Sequence, residues 1–315
     1  MLVLLRFTPF VLAILLFSPA GESKAAEPEG KEDLNKRRLE RITPVATYED
    51  IGGITLGEPL GVAVDFNGNA IVADGSPGRI VMFDRDGSRA LEFDRPPGNP
   101  AFYPTDLALY GFFTYAIDER DRTLLRFDKD GTYRDVLVNF NQLGGTRRVS
   151  PYAVGVDTQG RIAITDIENH QIMLIDSFLR LDILFGNYGS FPGQLDTPMG
   201  VSFTPAGEII VTDTGNRRIQ CFSDAGELRY VVPEKGENNP LLLPRRTVID
   251  DSDRLFVADP RAERVFVFDI GGRLLNELMP VGVDRFQPTD LEYHHDGRLY
   301  VTDALSRVLY VFKVK

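Results

Sequence analysis

A single all-β domain, a closed six-bladed β-propeller of four-stranded antiparallel blades, is the architecture this sequence predicts, and three observations predict it. The first is a repeat: Pro59, Pro104, Pro151, Pro198, Pro244 and Pro288 each open a similar apolar run and are spaced by 45, 47, 47, 46 and 44 residues. The second is an independent marker in the same register, the Asp that ends the second run of each copy: Asp74, Asp118, Asp166, Asp213, Asp259 and Asp303. The third is a mismatch between the two ends. Five copies own a fourth strand-like segment, whereas the sixth stops after its third, Val308 to Phe312, and residues 44–51 (PVATYEDI) alternate like a strand ahead of the first copy. A strand lent by residues 44–51 to the last copy would remove the raw edge and close the ring.

Each element follows from local chemistry. Residues 1–26 begin with an apolar stretch carrying Arg6, and small residues follow at Ser18, Ala20, Ser23 and Ala25, which reads as a secretory signal. Periplasmic or extracellular placement follows from that reading; the alternative is an uncleaved anchor to the inner membrane made of residues 1–17. Residues 27–43 carry five charges of each sign and read as a polar tether. Residues 44–315 form the propeller, about 45 residues per blade. Within a copy, Val-, Ile- and Phe-rich runs are separated by turn pairs such as Asn67-Gly68, Gln159-Gly160 and Asp296-Gly297, so consecutive runs form hairpins. The fourth segments are Arg89 to Phe93, Arg134 to Phe140, Leu179 to Phe185, Leu228 to Val232 and Arg273 to Met279.

The pattern of residues Gly189 to Cys221 is Gly-x-x-Phe with Pro, then Gly-Val, then Gly-x-Ile-x-Val-x-Asp, then Asn-Arg-x-Ile. It resembles an NHL repeat, and the likeness extends over residues 44–315, best in the first and fourth copies. Tyr110 to Phe113 and Arg245-Arg246 depart from it in the second and fifth. The resemblance implies a propeller, most often one that serves as an interaction platform, while some relatives are lyases or lactone hydrolases.

Composition removes several functions. The net charge is −11, and −12 of it lies beyond residue 43, so the body repels phosphate backbones and nucleic acid is not the expected partner. One cysteine excludes an internal disulfide and a cysteine metal cluster. Cys221 reads as a small buried hydrophobe. The six recurrent Asp residues, five of them near an Arg (Arg79, Arg122, Arg218, Arg264, Arg307), read as loop-fixing devices, because presence in every blade is a demand of folding. Of three histidines, His170 falls on the face of the blade-to-blade connections and His294 and His295 on the hairpin face, so no tri-histidine zinc site is expected. No Gly-x-Ser-x-Gly element occurs.

Candidate binding residues are those that break the repeat. Two positions after each anchoring proline the copies read Gly61, Asp106, Ala153, Gly200, Arg246 and Asp290; two further on they read Ala63, Ala108, Gly155, Ser202, Val248 and Glu292. Small residues suit the crowded axis, so Asp106, Arg246, Asp290 and Glu292 stand out as a polar group at the channel mouth. Their structural alternative is an Arg246 to Asp290 ion pair with Asp106 capping backbone amides. On the connection face Asn99 to Tyr103, Gly144 to Arg148, Tyr188 to Phe191, Glu234 to Asn239 and Asp284 to Phe286 offer aromatic and Arg anchors, with Arg148 and Tyr188 singled out. Arg147-Arg148 and Arg245-Arg246 add local basic points, while Phe102, Phe191 and Phe286 precede prolines and are expected to tuck under the loops. The expectation is a monomeric, exported, non-catalytic scaffold that binds a protein or other macromolecule through this face and needs no cofactor. The alternative is a calcium- or magnesium-dependent lyase or hydrolase with Asp106, Asp290 and Glu292 as oxygen ligands.

Overall fold

The structure, a computed structural model, describes residues 39–143, 148–233 and 239–314. Its first elements are β1 (Leu39–Ile42), β2 (Ala46–Tyr48), and a small hairpin of β3 (Asp50–Ile51) and β4 (Ile54–Thr55). Blade 1 is β5 (Pro59–Val64), β6 (Ala70–Asp74), β7 (Arg79–Phe83) and β8 (Ala90–Glu92). Blade 2 is β9 (Pro104–Tyr110), β10 (Phe113–Asp118), β11 (Thr123–Asp128) and β12 (Tyr133–Asn139), followed by the one-turn helix α1 (Phe140–Leu143). Blade 3 is β13 (Pro151–Val156), β14 (Ile162–Asp166), β15 (Gln171–Ile175) and β16 (Leu181–Phe185). Blade 4 is β17 (Pro198–Phe203), β18 (Ile209–Asp213), β19 (Arg218–Phe222) and β20 (Leu228–Val232). Blade 5 is β21 (Arg246–Ile249), β22 (Arg254–Asp259), β23 (Arg264–Asp269) and β24 (Leu274–Pro280). Blade 6 is β25 (Pro288–His294), β26 (Arg298–Asp303) and β27 (Val308–Lys313), and neighbouring strands within every blade are antiparallel.

The sixth blade takes its fourth strand from the front of the chain. β2 pairs antiparallel with β27, Ala46 opposite Val311 and Tyr48 opposite Leu309. Tyr48 is buried, stacks on Phe83 of blade 1 at 5.5 Å and donates its hydroxyl to the Arg85 carbonyl at 2.9 Å. The closing strand is therefore pinned to both blades it joins. Residues 39–42, read above as the end of the tether, form β1, which pairs in parallel with β24 and makes blade 5 five-stranded.

Apolar residues lie on both faces of the middle strands because each blade packs against two neighbours. Among the described residues they form six clusters, one at each blade junction. The cluster that includes Val62, Phe83, Tyr300 and Val311 joins blade 6 to blade 1, so the toroid is closed by core packing as well as by strand exchange. The recurrent Asp residues are fully buried and collect loop amides: Asp74 accepts from Gly57 and Glu58 at 2.9 and 2.7 Å, and Asp259 from Leu242 at 2.7 Å. The neighbouring arginines behave less uniformly than expected. Among the described residues Arg79 and Arg218 bond their Asp, at 3.1 and 2.7 Å, whereas Arg264 turns to the Glu263 carbonyl.

Candidate functional site

The innermost strands β5, β9, β13, β17, β21 and β25 run from the connection face to the hairpin face, so positions along them stack as layers around the axis. In the layer two residues after the prolines, blades approach too closely for side chains at two points. A Cβ on Gly61 would lie 2.8 Å from the Asp106 Cα, and one on Gly200 would lie 2.5 Å from the Arg245 carbonyl oxygen. The room left is filled by Arg246, whose guanidinium crosses from blade 5 to reach Asp106 of blade 2 through Nη1 at 2.8 Å and Asp290 of blade 6 through Nε at 3.2 Å.

Every carboxylate oxygen in this layer is engaged. Asp106 accepts the Leu107 amide on Oδ1 and the Val154 amide of blade 3 on Oδ2, both at 2.8 Å. Asp290 accepts the Leu291 amide on Oδ1 at 2.9 Å and the Val62 amide of blade 1 on Oδ2 at 2.7 Å. Each aspartate thus ties its blade to the next. Burial raises both carboxyl pKa values, that of Asp290 to about 8, against the lowering pull of Arg246. Burial alone would lower the Arg246 pKa, but Asp106 and Asp290 raise it. The ion pair and the amide caps form one plug, and on its connection side only about 10 Å³ of space remains between residues such as Leu60, Tyr152 and Met199. The expected open mouth on the connection face is therefore sealed.

The open end is the opposite one. A cavity of about 440 Å³ extends from the plug to the hairpin face, and all six residues of the next inward layer, Ala63, Ala108, Gly155, Ser202, Val248 and Glu292, line it. Glu292, two residues beyond Asp290 on the same strand face, is the charged member of that layer. Burial pushes its pKa up to about 7, with Arg246 lowering and Asp106 raising it. No hydrogen bond to the Glu292 carboxyl is formed within the described residues, and the side chain is partly buried. Phe203, Tyr293 and His295 also line the cavity, a contribution the sequence reading missed. The available signal was the hairpin after each first strand, which carries side chains to the cavity rim.

Arg148 and Tyr188 lie away from the axis, on the connection face. Arg148 is exposed, with Nε 3.7 Å from Glu168 Oε2. Tyr188 is 67% exposed and its ring lies 4.7 Å from that of His170. The loop carrying Tyr188 is held from beneath: Arg218 donates to the carbonyls of Ser190, Phe191 and Gln194 at 2.8, 2.9 and 2.8 Å, and Asn216 donates to the Gly189 carbonyl at 2.8 Å. Phe191 on this loop is 74% exposed, unlike Phe102 and Phe286, which are buried as expected. Leu195 fills the buried place in blade 4. Arg245-Arg246 is not an exposed basic point, since Arg246 is buried in the plug and Arg245 lies over the Tyr152 ring and donates to its hydroxyl. Residues 144–147 and 234–238 of the expected surface lie outside the described residues.

Histidines and cysteine keep to structural places. His170 Nδ1 accepts the Thr197 amide at 2.9 Å, His294 is buried, and His295 stacks on Phe66 at 4.8 Å. Cys221 is buried and its thiol is pushed up to about 12 by burial. Among the described residues no three His, Cys, Asp or Glu side chains gather as metal ligands.

Comparison with known proteins agrees with the architecture. The NHL repeat family matches residues 195–222, the blade 4 segment that contains the buried Asp213 and its Arg218 partner. The chain is similar to the protein brain tumor of Drosophila melanogaster, 30% identical over 130 residues, which is 41% of this chain and 12% of that one. It is also similar to a probable peptidyl-α-hydroxyglycine α-amidating lyase of Caenorhabditis elegans, 23% identical over 245 residues, 75% of this chain and 62% of that one. The chain thus spans less than two thirds of either relative. A solved gluconolactonase structure from Xanthomonas campestris superposes with a TM-score of 0.65 at 19% identity, covering 89% of this chain and 96% of that one, a likeness of fold. The chain is a six-bladed β-propeller that carries an NHL repeat.

Proposed function

We propose that this propeller is an exported, non-catalytic scaffold that binds a protein partner through its connection face, acting as a monomer and without a cofactor. The observation that carries the reading is the loop from Tyr188 to Gln194. It places two large aromatic side chains, 67% and 74% exposed, in solvent while Arg218 and Asn216 fix its backbone. Aromatic anchors on a backbone already ordered lose little entropy on binding, which is the usual make-up of an interface hot spot. The sealed channel leaves that face without a central pocket, which favours a broad macromolecular contact over a small substrate.

The hydrolase or lyase alternative is less well supported. Asp106 and Asp290 have each carboxylate oxygen bonded to an amide or to Arg246, so a metal or substrate would have to compete with the bonds that join the blades. The export reading rests on the sequence of residues 1–26. No helix among the described residues is long and apolar enough to cross a membrane.

The test is affinity capture from an envelope extract of the producing cell, comparing the native chain with the Tyr188→Ala, Phe191→Ala double variant. A protein captured stoichiometrically by the native chain should be lost with the double variant and retained by Phe112→Ala, a hairpin-face control that is also highly exposed. Equal capture by the double variant would remove the connection face as the interface.

A further inference from the structure

We propose that the hairpin-side cavity is a binding site for an alkylammonium group on an apolar stem, supplied either by a free primary amine or by a lysine side chain. This inference stands apart from the connection-face interface, because the plug separates the two and each can fail alone.

The sign of the ligand follows from the charges at the floor. One guanidinium, Arg246, faces two aspartates at 2.8 and 3.2 Å, and Glu292 adds a third carboxyl. The group therefore holds two negative charges in excess when all are ionised. Within a channel walled by protein this excess is screened less than on an open surface and is relieved by protons or by a cation. Arg246 already faces both aspartates, at 2.8 and 3.2 Å, so an anionic ligand would meet three carboxyls against one guanidinium. At the mouth Asp251 accepts the Tyr293 hydroxyl at 3.2 Å and adds a further carboxylate, while Asp157 is paired with Arg161, whose Nε lies 2.7 Å from its Oδ2.

The stem follows from the walls. Ala63, Ala108 and Val248 present methyl groups along the passage to Glu292, and about 440 Å³ is within the range of small-molecule sites. A bare divalent ion would need about six or more oxygen ligands, and among the described residues the floor offers only the Glu292 carboxyl outside existing bonds. An ammonium needs one carboxylate and a few acceptors, and its alkyl chain gains from the apolar lining.

Titration calorimetry of the full chain provides the test, with n-hexylammonium, n-hexanol, hexanoate and Nα-acetyl-lysine amide as probes. At pH 8 one hexylammonium should bind per chain, with hexanol at least tenfold weaker and hexanoate excluded. Glu292→Gln, near in shape, should weaken hexylammonium about tenfold, and Ala108→Leu, which fills the cavity while keeping Glu292, should abolish binding. The groups facing Glu292 are Arg246 and Asp106 across the axis and Asp290 on its own strand, with Asp157, Asp251, Tyr293 and His295 at the mouth. With the Glu292 pKa at about 7, hexylammonium affinity should fall about tenfold from pH 8 to pH 6 in the native chain. The fall should be smaller in Glu292→Gln, and what remains belongs to the other facing groups, Asp290 first, whose pKa burial raises to about 8. Tighter binding of the lysine amide would identify a peptide-borne lysine as the source, and tighter hexylammonium a free amine. Equal binding of hexanol, unchanged affinity in folded Glu292→Gln, or no binding at millimolar hexylammonium would overturn the proposal.

Discussion

The two inward layers of the channel differ by two residues along the same six strands, yet they do opposite things with charge. In the first, one guanidinium and two aspartates bond to one another and to the amides of Leu107, Val154, Leu291 and Val62. In the second, Glu292 faces open space with no hydrogen-bond partner among the described residues. Both layers broke the repeat in the same way, by inserting acidic residues among Gly, Ala and Val. The difference teaches that an unusual charge near an axis is informative only once its partners are counted: a charge paired across the axis clamps blades together, and an unbonded one is free for a ligand.

The largest effect expected from breaking this contrast is at Arg246. Arg246→Met keeps much of the stem volume but strands two aspartates in the interior, and removing one partner of a buried ion pair costs about 3–5 kcal/mol. Urea denaturation at neutral pH should show a loss of that size. Adding Asp106→Asn and Asp290→Asn should recover half or more of it, because the amide oxygens can still accept from Val154 and Val62 while the charges are gone. Failure of the triple variant to recover would mean that the layer acts through shape and not through charge balance.

Glu292 should respond in the opposite direction. Its folded pKa, about 7, lies above the usual carboxylate value of 4.5, so the native state holds a proton that the unfolded chain has released between those two values. A raised folded pKa gives a stabilising contribution fully present below pH 4.5 and lost as pH rises through 7. The ionised carboxyl thus weighs against folding at pH 8, by on the order of 3 kcal/mol from the size of the shift. Glu292→Gln should be more stable than the native chain at pH 8, and the gap should close on acidification to pH 4.5. A gap independent of pH would assign the effect to packing. An unfavourable charge retained in an open cavity is also what a bound cation would offset.

The fold was legible because its markers are local and repeated. An Asp that collects loop amides recurs in each blade and a proline starts the first strand in five of the six, Pro244 standing two residues ahead of β21, so their spacing alone registers the ring. The closing strand was legible as a deficit of one strand at one end and a surplus at the other. β1 was not, because Leu39–Ile42 is short, mostly exposed and paired in parallel with a strand more than 230 residues away, which leaves no amphipathic pattern to read. The site was half legible. Substitution among small residues singled out Asp106, Arg246, Asp290 and Glu292, but which end of the channel they leave open depends on how far Arg246 reaches, and its contact with Asp106 spans 140 residues of sequence. Phe191 misled for a geometric reason. It shares a residue type with Phe102 and Phe286, but those stand two residues before their prolines, whereas Phe191 stands seven before Pro198 and Leu195 takes the buried place.

That last distinction sets the smallest expected effect. Tyr188 and Phe191 stand in solvent, and the hydrogen bonds that fix their loop use backbone carbonyls of residues 189–194 and leave both aromatic rings out. Truncating both rings should therefore leave stability within about 0.5 kcal/mol of the native chain, as for most surface changes. The urea midpoint and slope of Tyr188→Ala, Phe191→Ala measure this directly. A loss of about 2 kcal/mol would place the rings in the structural class with Phe102 and Phe286, and any loss of partner capture by the same variant would then report on loop collapse. An unchanged midpoint makes the two faces of the ring comparable: one presents aromatic side chains that folding does not need, and the other holds a carboxyl that folding would be better without.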